Sequence, residues 1–267
     1  MTTALIITTY NWVEALELSI VSALNQTHLP TEIIIADDGS TTETKELIEK
    51  ISQNSKVKII HSWQEDDGFR LARSRNLAIA KSSSEYIIVI DGDMILDKNF
   101  VLDHLNCAEQ NHYIQGSRVL LNSILSQNIL DNNSFKKPSF FTKKITNKKN
   151  MFYLPYLTKV ICNNSNQRLK RIRGCNFSLF KTNIITINGF NENFNKWGRE
   201  DSEFVQRLYN NGIKRKNLKF AGIQYHLYHK EGNSNSFNDE ILQRAIDEKL
   251  TWCDNGIDKH LKDKKYV

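Results

Sequence analysis

The stretch Tyr86-Ile87-Ile88-Val89-Ile90-Asp91-Gly92-Asp93-Met94 decides the fold. Its four consecutive branched aliphatics read as a strand buried on both faces, the pattern of a parallel sheet covered by helices. The run stops at two carboxylates flanking a glycine. In an open α/β sheet, ligands bind in the crevice beyond the carboxyl ends of the strands. Two aspartates placed there repel each other unless a cation lies between them. A divalent ion with oxygen ligands fits, and Gly92 permits close backbone approach. The plain alternative is that Asp-Gly marks only a hairpin turn.

Upstream, Ala4-Leu5-Ile6-Ile7 predicts a short buried strand running into Thr8-Thr9-Tyr10. Asn11 can cap the next helix, with Glu14 as its capping-box partner. Leu16, Ile20, Ala23 and Leu24 then share one apolar face. Ile33 to Ala36 is a second buried strand, ending in Asp37-Asp38-Gly39-Ser40. A helix from Thr42 to Ile51, a strand from Val57 to Ile60 and a helix from Arg70 to Lys81 follow. This alternation has the length of βαβ units and predicts a mostly parallel sheet with helices on both faces. The acidic clusters at Asp37-Asp38 and Asp91-Asp93 then converge on one sheet edge.

Downstream, residues 123–170 are rich in Asn, Lys and aromatics with poor periodicity, and read as a long, mobile insertion near the crevice, a functional lid or disorder. From Asn132 to Asn191 there is no Asp or Glu, while the lysines include Lys143, Lys144, Lys148 and Lys149. Such a patch suits phosphates, an anionic membrane surface or an acidic glycan; a solvated loop face is the plain alternative. Regular patterning returns in a strand from Arg173 to Phe180. A helix with Phe204, Val205, Leu208 and Tyr209 as its core face follows, stopped by Gly212. A strand from Phe220 to Leu227 carries His226, with His229 just beyond. A last helix from Asn238 to Trp252 is expected to bury Ile241, Leu242, Ala245, Ile246 and Leu250. The expected division is 1–122, 123–172 and 173–267 within one continuous domain.

The chain has 267 residues, 40% of them apolar and 25% charged, enough for an α/β domain with ample core. No apolar run reaches the length of a membrane helix, and the N-terminus lacks a signal-peptide pattern. Four well-separated cysteines suit a reducing cytosol better than a zinc site or a disulfide framework. No glycine-rich dinucleotide fingerprint or phosphate-cradling loop follows the first strand, which disfavours NAD enzymes and phosphate-loop ATPases.

Thr8-Thr9-Tyr10-Asn11, Asp37-Asp38-Gly39-Ser40, Asp91-Gly92-Asp93 and Trp197-Gly198-Arg199-Glu200-Asp201 occur in the order seen in inverting family 2 glycosyltransferases with the GT-A fold, which the chain resembles. It looks most like bacterial surface-polysaccharide transferases. Gln64-Glu65-Asp66-Asp67-Gly68-Phe69-Arg70 through Arg75-Asn76 is similar to chondroitin polymerases. Gly174 to His229 resembles the C-terminal lobe shared with β-1,4-galactosyltransferases.

The resemblance implies a GT-A α/β fold and a metal-dependent transfer of a hexose or N-acetylhexosamine from a UDP-sugar to a hydroxyl of a surface glycan. It implies Thr8, Tyr10, Asp38, Arg70, Arg75 and Asp91 at the nucleotide, and Asp93 with His229 at Mn²⁺ or Mg²⁺. His226 is the rival ligand; if both histidines are extended they face opposite sides, so only one reaches the ion. Asp201 is implied as the catalytic base, although an aspartate at a helix start is by residue physics alone a cap. Trp197, Gly198 and Glu200 fall to the acceptor. The expected partners are a UDP-sugar and a glycan or lipid-linked glycan, with no nucleic acid. The expected location is the cytoplasm, with peripheral contact at the inner membrane face. Processive polymerases of this type carry a second transferase domain, so single-sugar addition is expected here. A nucleotidyltransferase would leave Trp197 to Asp201 and His229 unexplained. A non-catalytic scaffold would lack a base or a metal ligand.

Overall fold

The computed structural model describes residues 1–162, 165–230 and 236–261. Strands β1 (Thr3–Thr9), β2 (Glu32–Asp37) and β3 (Lys58–Trp63) alternate with helices α1 (Val13–Leu24), α2 (Thr42–Gln53) and α3 (Leu71–Lys81). β4 (Tyr86–Asp91) and the short β5 (Met94–Leu96) follow, then α4 (Phe100–Cys107), β6 (His112–Gln115), β7 (Val119–Leu121) and α5 (Ser123–Asp131). Next come β8 (Ile145–Thr146), α6 (Pro155–Cys162), β9 (Ser165–Asn166), β10 (Asn176–Phe180) and α7 (Lys181–Thr186). The chain continues through α8 (Glu200–Asn210), β11 (Lys214–Asn217), β12 (Gln224–His226) and α9 (Ser236–Asp247).

The main sheet runs β3-β2-β1-β4-β10-β6-β11-β9, and its first four strands are parallel. β10 enters antiparallel between β4 and β6, so the sheet is mixed beyond β4. A second sheet, β5-β12-β7-β8, stands beside it. The apolar runs explain the layering, because successive residues of a strand face opposite sides. Ile6, Ile34, Ile87 and Val89 face α3, α7 and α8. Leu5, Ile7, Ile33, Ile35, Ile88 and Ile90 face α1, α2 and α4. Each fully buried aliphatic contributes about 1.5–3 kcal/mol.

Strand order and chain order together place the ligand crevice. β1 leads leftward to β2 and β3, and the chain then crosses to the opposite side of β1 to form β4. The connections therefore diverge between β1 and β4, the switch point where an open sheet leaves a gap at its carboxyl edge.

Several local expectations are corrected. Asn11 does not cap α1, whose N-cap is Trp12 with no side-chain bond. Asn11 has a positive φ of 46°. Its side chain instead accepts from the Thr41 N–H at 2.9 Å, tying the first loop to the start of α2. β10 begins at Asn176 and β12 covers only Gln224–His226, both shorter than their sequence patterns. α9 ends at Asp247 and buries only Asn238 and Ala245, so Ile241, Leu242 and Ile246 are half-exposed. Residues 123–170 contain α5, β8, α6 and β9; their weak periodicity conceals regular structure. Gly212, at φ 78°, does end α8.

Candidate active site

Register fixes the first contacts. Thr8 of β1 lies opposite Asp91 of β4, and Thr9 lies opposite Asp37 of β2. The Thr8 hydroxyl donates to Asp91 Oδ1 at 3.1 Å. Gly92 turns the chain against β1, where a Cβ would sit 2.5 Å from the Thr8 carbonyl oxygen. Its close approach is therefore to β1.

Asp37 and Asp38 divide their work. Asp37 is fully buried and structural: it takes the Ser40 N–H at 2.8 Å and meets His61 Nε2 at 2.7 Å. Asp38 accepts from Gln64 Nε2 and from the Arg70 N–H at 2.9 Å. Burial pushes its carboxyl up to about 6 in spite of those bonds. Arg70 thus reaches the site by its backbone, while its guanidinium pairs with Asp67 at 3.2 Å. The Tyr10 hydroxyl donates to Asp66 at 3.0 Å.

At the other end of Gly92, Asp93 Oδ2 meets His226 Nε2 at 3.2 Å and His229 Nε2 at 3.1 Å. The expectation that only one histidine could reach is corrected. β12 ends at His226, so the alternation rule no longer applies by His229. The Leu227 N–H holds the turn by donating to the Asp93 carbonyl at 3.0 Å, and the two imidazoles lie 5.0 Å apart. One ligand atom from each of the three residues falls within 4.8 Å of the others. Asp93 Oδ1 is buried with no hydrogen-bond partner. A carboxylate oxygen left so, beside two imidazoles, fits a divalent cation. Burial opposes the charge on Asp93, but the hydrogen bonds of His226 and His229 outweigh it and hold the carboxyl well below its usual range. The same hydrogen bond raises His229 to about 9.

Arg75, which the resemblance implies at the nucleotide, is 1% exposed. Its guanidinium lies 2.8 Å from Asp201 Oδ1, 3.3 Å from Asp91 Oδ1 and 3.7 Å from Glu200 Oε1. Burial disfavours its charge, but Asp201, Asp91 and Glu200 outweigh that and keep it protonated. Asp91 is raised by burial and by Asp93 and Asp201, against the pull of Arg75. Burial and the adjacent Asp201 raise Glu200 to about 8.

The Trp197–Asp201 turn is shaped by two consecutive positive φ values, 99° at Gly198 and 75° at Arg199. Buried Asn238 of α9 braces it, donating to the Lys196 carbonyl at 2.9 Å and the Gly198 carbonyl at 2.7 Å. Asp201 is not a cap. Its Oδ2 accepts the Gly174 N–H at 2.6 Å and its Oδ1 accepts from Arg75. A Cβ on Gly174 would lie 2.4 Å from Asp201 and 2.5 Å from Arg75, so a side chain there would displace one of these two groups.

A cleft of about 390 Å³ joins these groups, lined by Thr8, Tyr10, Asp38, Asp91, Asp93, Trp197 and His229 among others. That size suits a small-molecule ligand. Asp201, whose side chain is 22% exposed, is linked through Arg75 to Asp91 in the cleft lining. Sequence reasoning missed Gln64, Gly174 and Asn238, whose roles depend on distant partners. It also missed Trp12, whose ring meets His229 edge-on with centroids 6.1 Å apart. Among the described residues, no helix is long and apolar enough to cross a membrane.

Residues 4–172 match the family model for glycosyl transferase family 2, and residues 159–230 match that for the N-terminal domain of galactosyltransferase. Chondroitin synthase of Pasteurella multocida is 27% identical over 243 residues, covering 84% of this chain and 24% of that protein. Chondroitin synthase of Escherichia coli is likewise 27% identical, over 84% of this chain and 34% of its own. The chain thus spans about a quarter to a third of these relatives. The crystal structure of S. aureus TarS 1–349 in complex with UDP-GlcNAc is similar at a TM-score of 0.65 and 15% identity, covering 97% of this chain and 69% of that one. That likeness carries the GT-A fold. With a family match running from β1 to the segment before β10, the chain belongs to family 2 of the glycosyltransferases.

Proposed function

We propose that the chain is a metal-dependent, inverting transferase that moves a hexose or N-acetylhexosamine from a UDP-sugar to a hydroxyl of a bacterial surface glycan or its lipid-linked precursor. The observation that carries this reading is the pair of sites flanking the β1–β4 gap. On one side stands the Asp93–His226–His229 group with an unpartnered carboxylate oxygen. On the other, Asp201 is joined to Asp91 through a shared guanidinium. The chondroitin synthase relatives and the UDP-GlcNAc complex of TarS support the donor class.

Thr8, Asp38 and Asp91 receive the nucleoside at the carboxyl edge of β1, β2 and β4. Asp93, His226 and His229 would hold Mn²⁺ or Mg²⁺, which supplies positive charge against the departing diphosphate. Trp197, 42% exposed at the cleft mouth, offers an apolar ring face to the sugar. Asp201 takes the proton of the attacking acceptor hydroxyl. Its side chain is 22% exposed, and two fixed hydrogen bonds already orient it. Glu200 Oε2, buried without a partner, suits a hydrogen bond with the same acceptor.

Asp201→Asn tests the assignment. The amide keeps the shape and can accept from Gly174 or Arg75, but it cannot take a proton. Turnover should fall about 10²-fold or more, the usual size of general-base effects, while UDP affinity in Mn²⁺ stays within a few-fold. Retention of more than about a tenth of wild-type turnover removes Asp201 as the base, and Glu200→Gln becomes the next variant to assay.

A further inference from the structure

Between Lys136 and Cys162 the surface polarity is inverted. α6 turns Thr158 and Cys162 inward, while Tyr156 and Val160 stand 88% and 63% exposed. The Thr158 hydroxyl donates to the Lys219 carbonyl at 2.8 Å, which fixes the rotation of the helix. An amphipathic helix on a globular surface ordinarily does the reverse. Phe141, just upstream, is 86% exposed. It belongs to an aromatic cluster in which the Phe140 ring lies 5.9 Å from Phe141 and 5.0 Å from Phe152.

The frame beneath these side chains is tied to the core. The Leu154 N–H donates to the Phe220 carbonyl at 2.8 Å, and the Tyr153 hydroxyl donates to Asp103 at 3.1 Å. Asn150 Nδ2 donates to the Arg118 carbonyl at 2.8 Å. Ile145 of β8 is buried where β8 pairs with β7. The apolar tips therefore point outward from an anchored support.

Charge selects the occupant. Lys136, Lys143, Lys144 and Lys149 are exposed in the same segment, and no acidic residue occurs from Asn132 to Asn191. A second copy would bring the same lysines face to face, with like charges repelling. A bilayer carrying anionic headgroups satisfies both features: its acyl region takes aromatic and aliphatic tips, and its surface takes lysines.

We propose that the face formed by residues 136–162 docks on an anionic lipid bilayer, with Phe141, Tyr156 and Val160 entering the interface and Lys143, Lys144 and Lys149 at the headgroups. This docking is independent of donor and metal. Its failure would leave the glycosyltransferase reading untouched, and loss of transfer would leave the docking untouched.

The test is sedimentation of the full chain with phosphatidylglycerol-containing vesicles and with pure phosphatidylcholine vesicles. The wild type should bind the anionic vesicles preferentially, with partial release by salt. Lys143→Gln, Lys144→Gln and Lys149→Gln combined should weaken binding about a hundredfold, at about fivefold per lysine. Phe141→Ser, Tyr156→Ser and Val160→Ser combined should weaken it at least as much, since each loses burial of a large apolar group. Single Tyr156→Ser, at the most exposed of these positions, guards against a combined variant that fails to fold; it should weaken binding about tenfold. All variants should keep UDP affinity, since none of these residues lines the cleft. Absence of binding to anionic vesicles, or binding unchanged by the apolar substitutions, overturns the proposal. So does a wild-type dimer in sedimentation equilibrium that the same substitutions dissociate.

Discussion

Replacing Arg75 with Met tests whether the site is held by one buried charge. The guanidinium faces three carboxylates at 2.8, 3.3 and 3.7 Å. At an effective dielectric of about 20, each contact to an ionised carboxylate has a gross attraction of roughly 4–6 kcal/mol; Glu200, raised to about 8, contributes this fully only at higher pH. Desolvation of a fully buried guanidinium cancels much of that sum. What survives on removing one partner of a buried ionic group is about 3–5 kcal/mol, because the remaining charges are left uncompensated. Met fills similar volume, so the loss is electrostatic and should depend on pH. Without Arg75, the folded-state carboxyls of Asp91 and Glu200, already raised in its presence, bind protons more tightly than in the unfolded chain. The folded variant then holds more protons, so it loses stability as pH rises above the unfolded carboxylate range. Urea denaturation of wild type and variant at pH 5 and pH 8 reads this directly. The penalty should be smaller at pH 5, where Glu200, already raised to about 8 in the wild type, is neutral. A penalty under about 1 kcal/mol, typical of an exposed pair, or one that does not change with pH, would refute the reasoning.

Other expectations concern single groups. His226→Gln and His229→Gln should each remove most of the Mn²⁺-induced rise in melting temperature. Because Asp93 raises metal-free His229 to about 9, ion binding must displace its proton, and affinity should climb from pH 7 to pH 9 with proton release measurable by calorimetry in two buffers. Gly174→Ala forces a methyl against Asp201 and Arg75; turnover should fall far more than UDP affinity, and equal losses in both would contradict the geometry. Glu32 is buried and accepts from Ser82 Oγ, the Ser83 and Ser84 N–H groups and Ser84 Oγ, at 2.7–3.1 Å. Burial opposes the charge but these bonds outweigh it, so its folded carboxyl is depressed. Its stabilisation, about 1.5–3 kcal/mol, is present above the unfolded carboxylate pKa and fades as pH falls through the folded value. Glu32→Gln should flatten that acid limb of the stability curve.

The central strands were legible because burial on both faces leaves continuous Ile and Val runs that few other structures tolerate. The carboxylates at their ends were legible for the same reason: the run stops where the sheet meets solvent. Arg75 was not legible. On α3 it shares the buried face of Ala72 and Ile79, but an arginine there is accommodated only by carboxylates such as Asp201, 126 residues away. Strand alternation would set His226 and His229 on opposite sides, but strand length is set by pairing with β5 and β7, and β12 stops at His226. Asn11 has capping chemistry but serves the neighbouring helix, because its positive φ turns the side chain toward Thr41. Residues 123–170 lack periodicity because α6 presents apolar side chains to solvent and small or polar ones to the core, which inverts the signal that sequence patterns rely on.

The arrangement around Asp201 gives a physical reason why two adjacent carboxylates should serve different ends. Glu200 and Asp201 open α8 side by side, and two negative charges there would repel each other. Glu200 is the more buried, at 6% exposure, and is raised to about 8, so it is mostly neutral at pH 7. Environments that push neighbouring carboxyls apart are how one site holds an acid and a base together. Asp201 has Arg75 on one oxygen and the Gly174 N–H on the other. A carboxylate has about four lone-pair directions, so these two bonds leave each oxygen one more to offer. The fixed donors also hold the carboxylate in place, so no reorganisation is needed when a hydroxyl arrives. On the proposed mechanism, Arg75 has a positioning role. It ties the proton-accepting carboxylate of α8 to Asp91 at the end of β4, so the acceptor side and the donor side keep a constant separation.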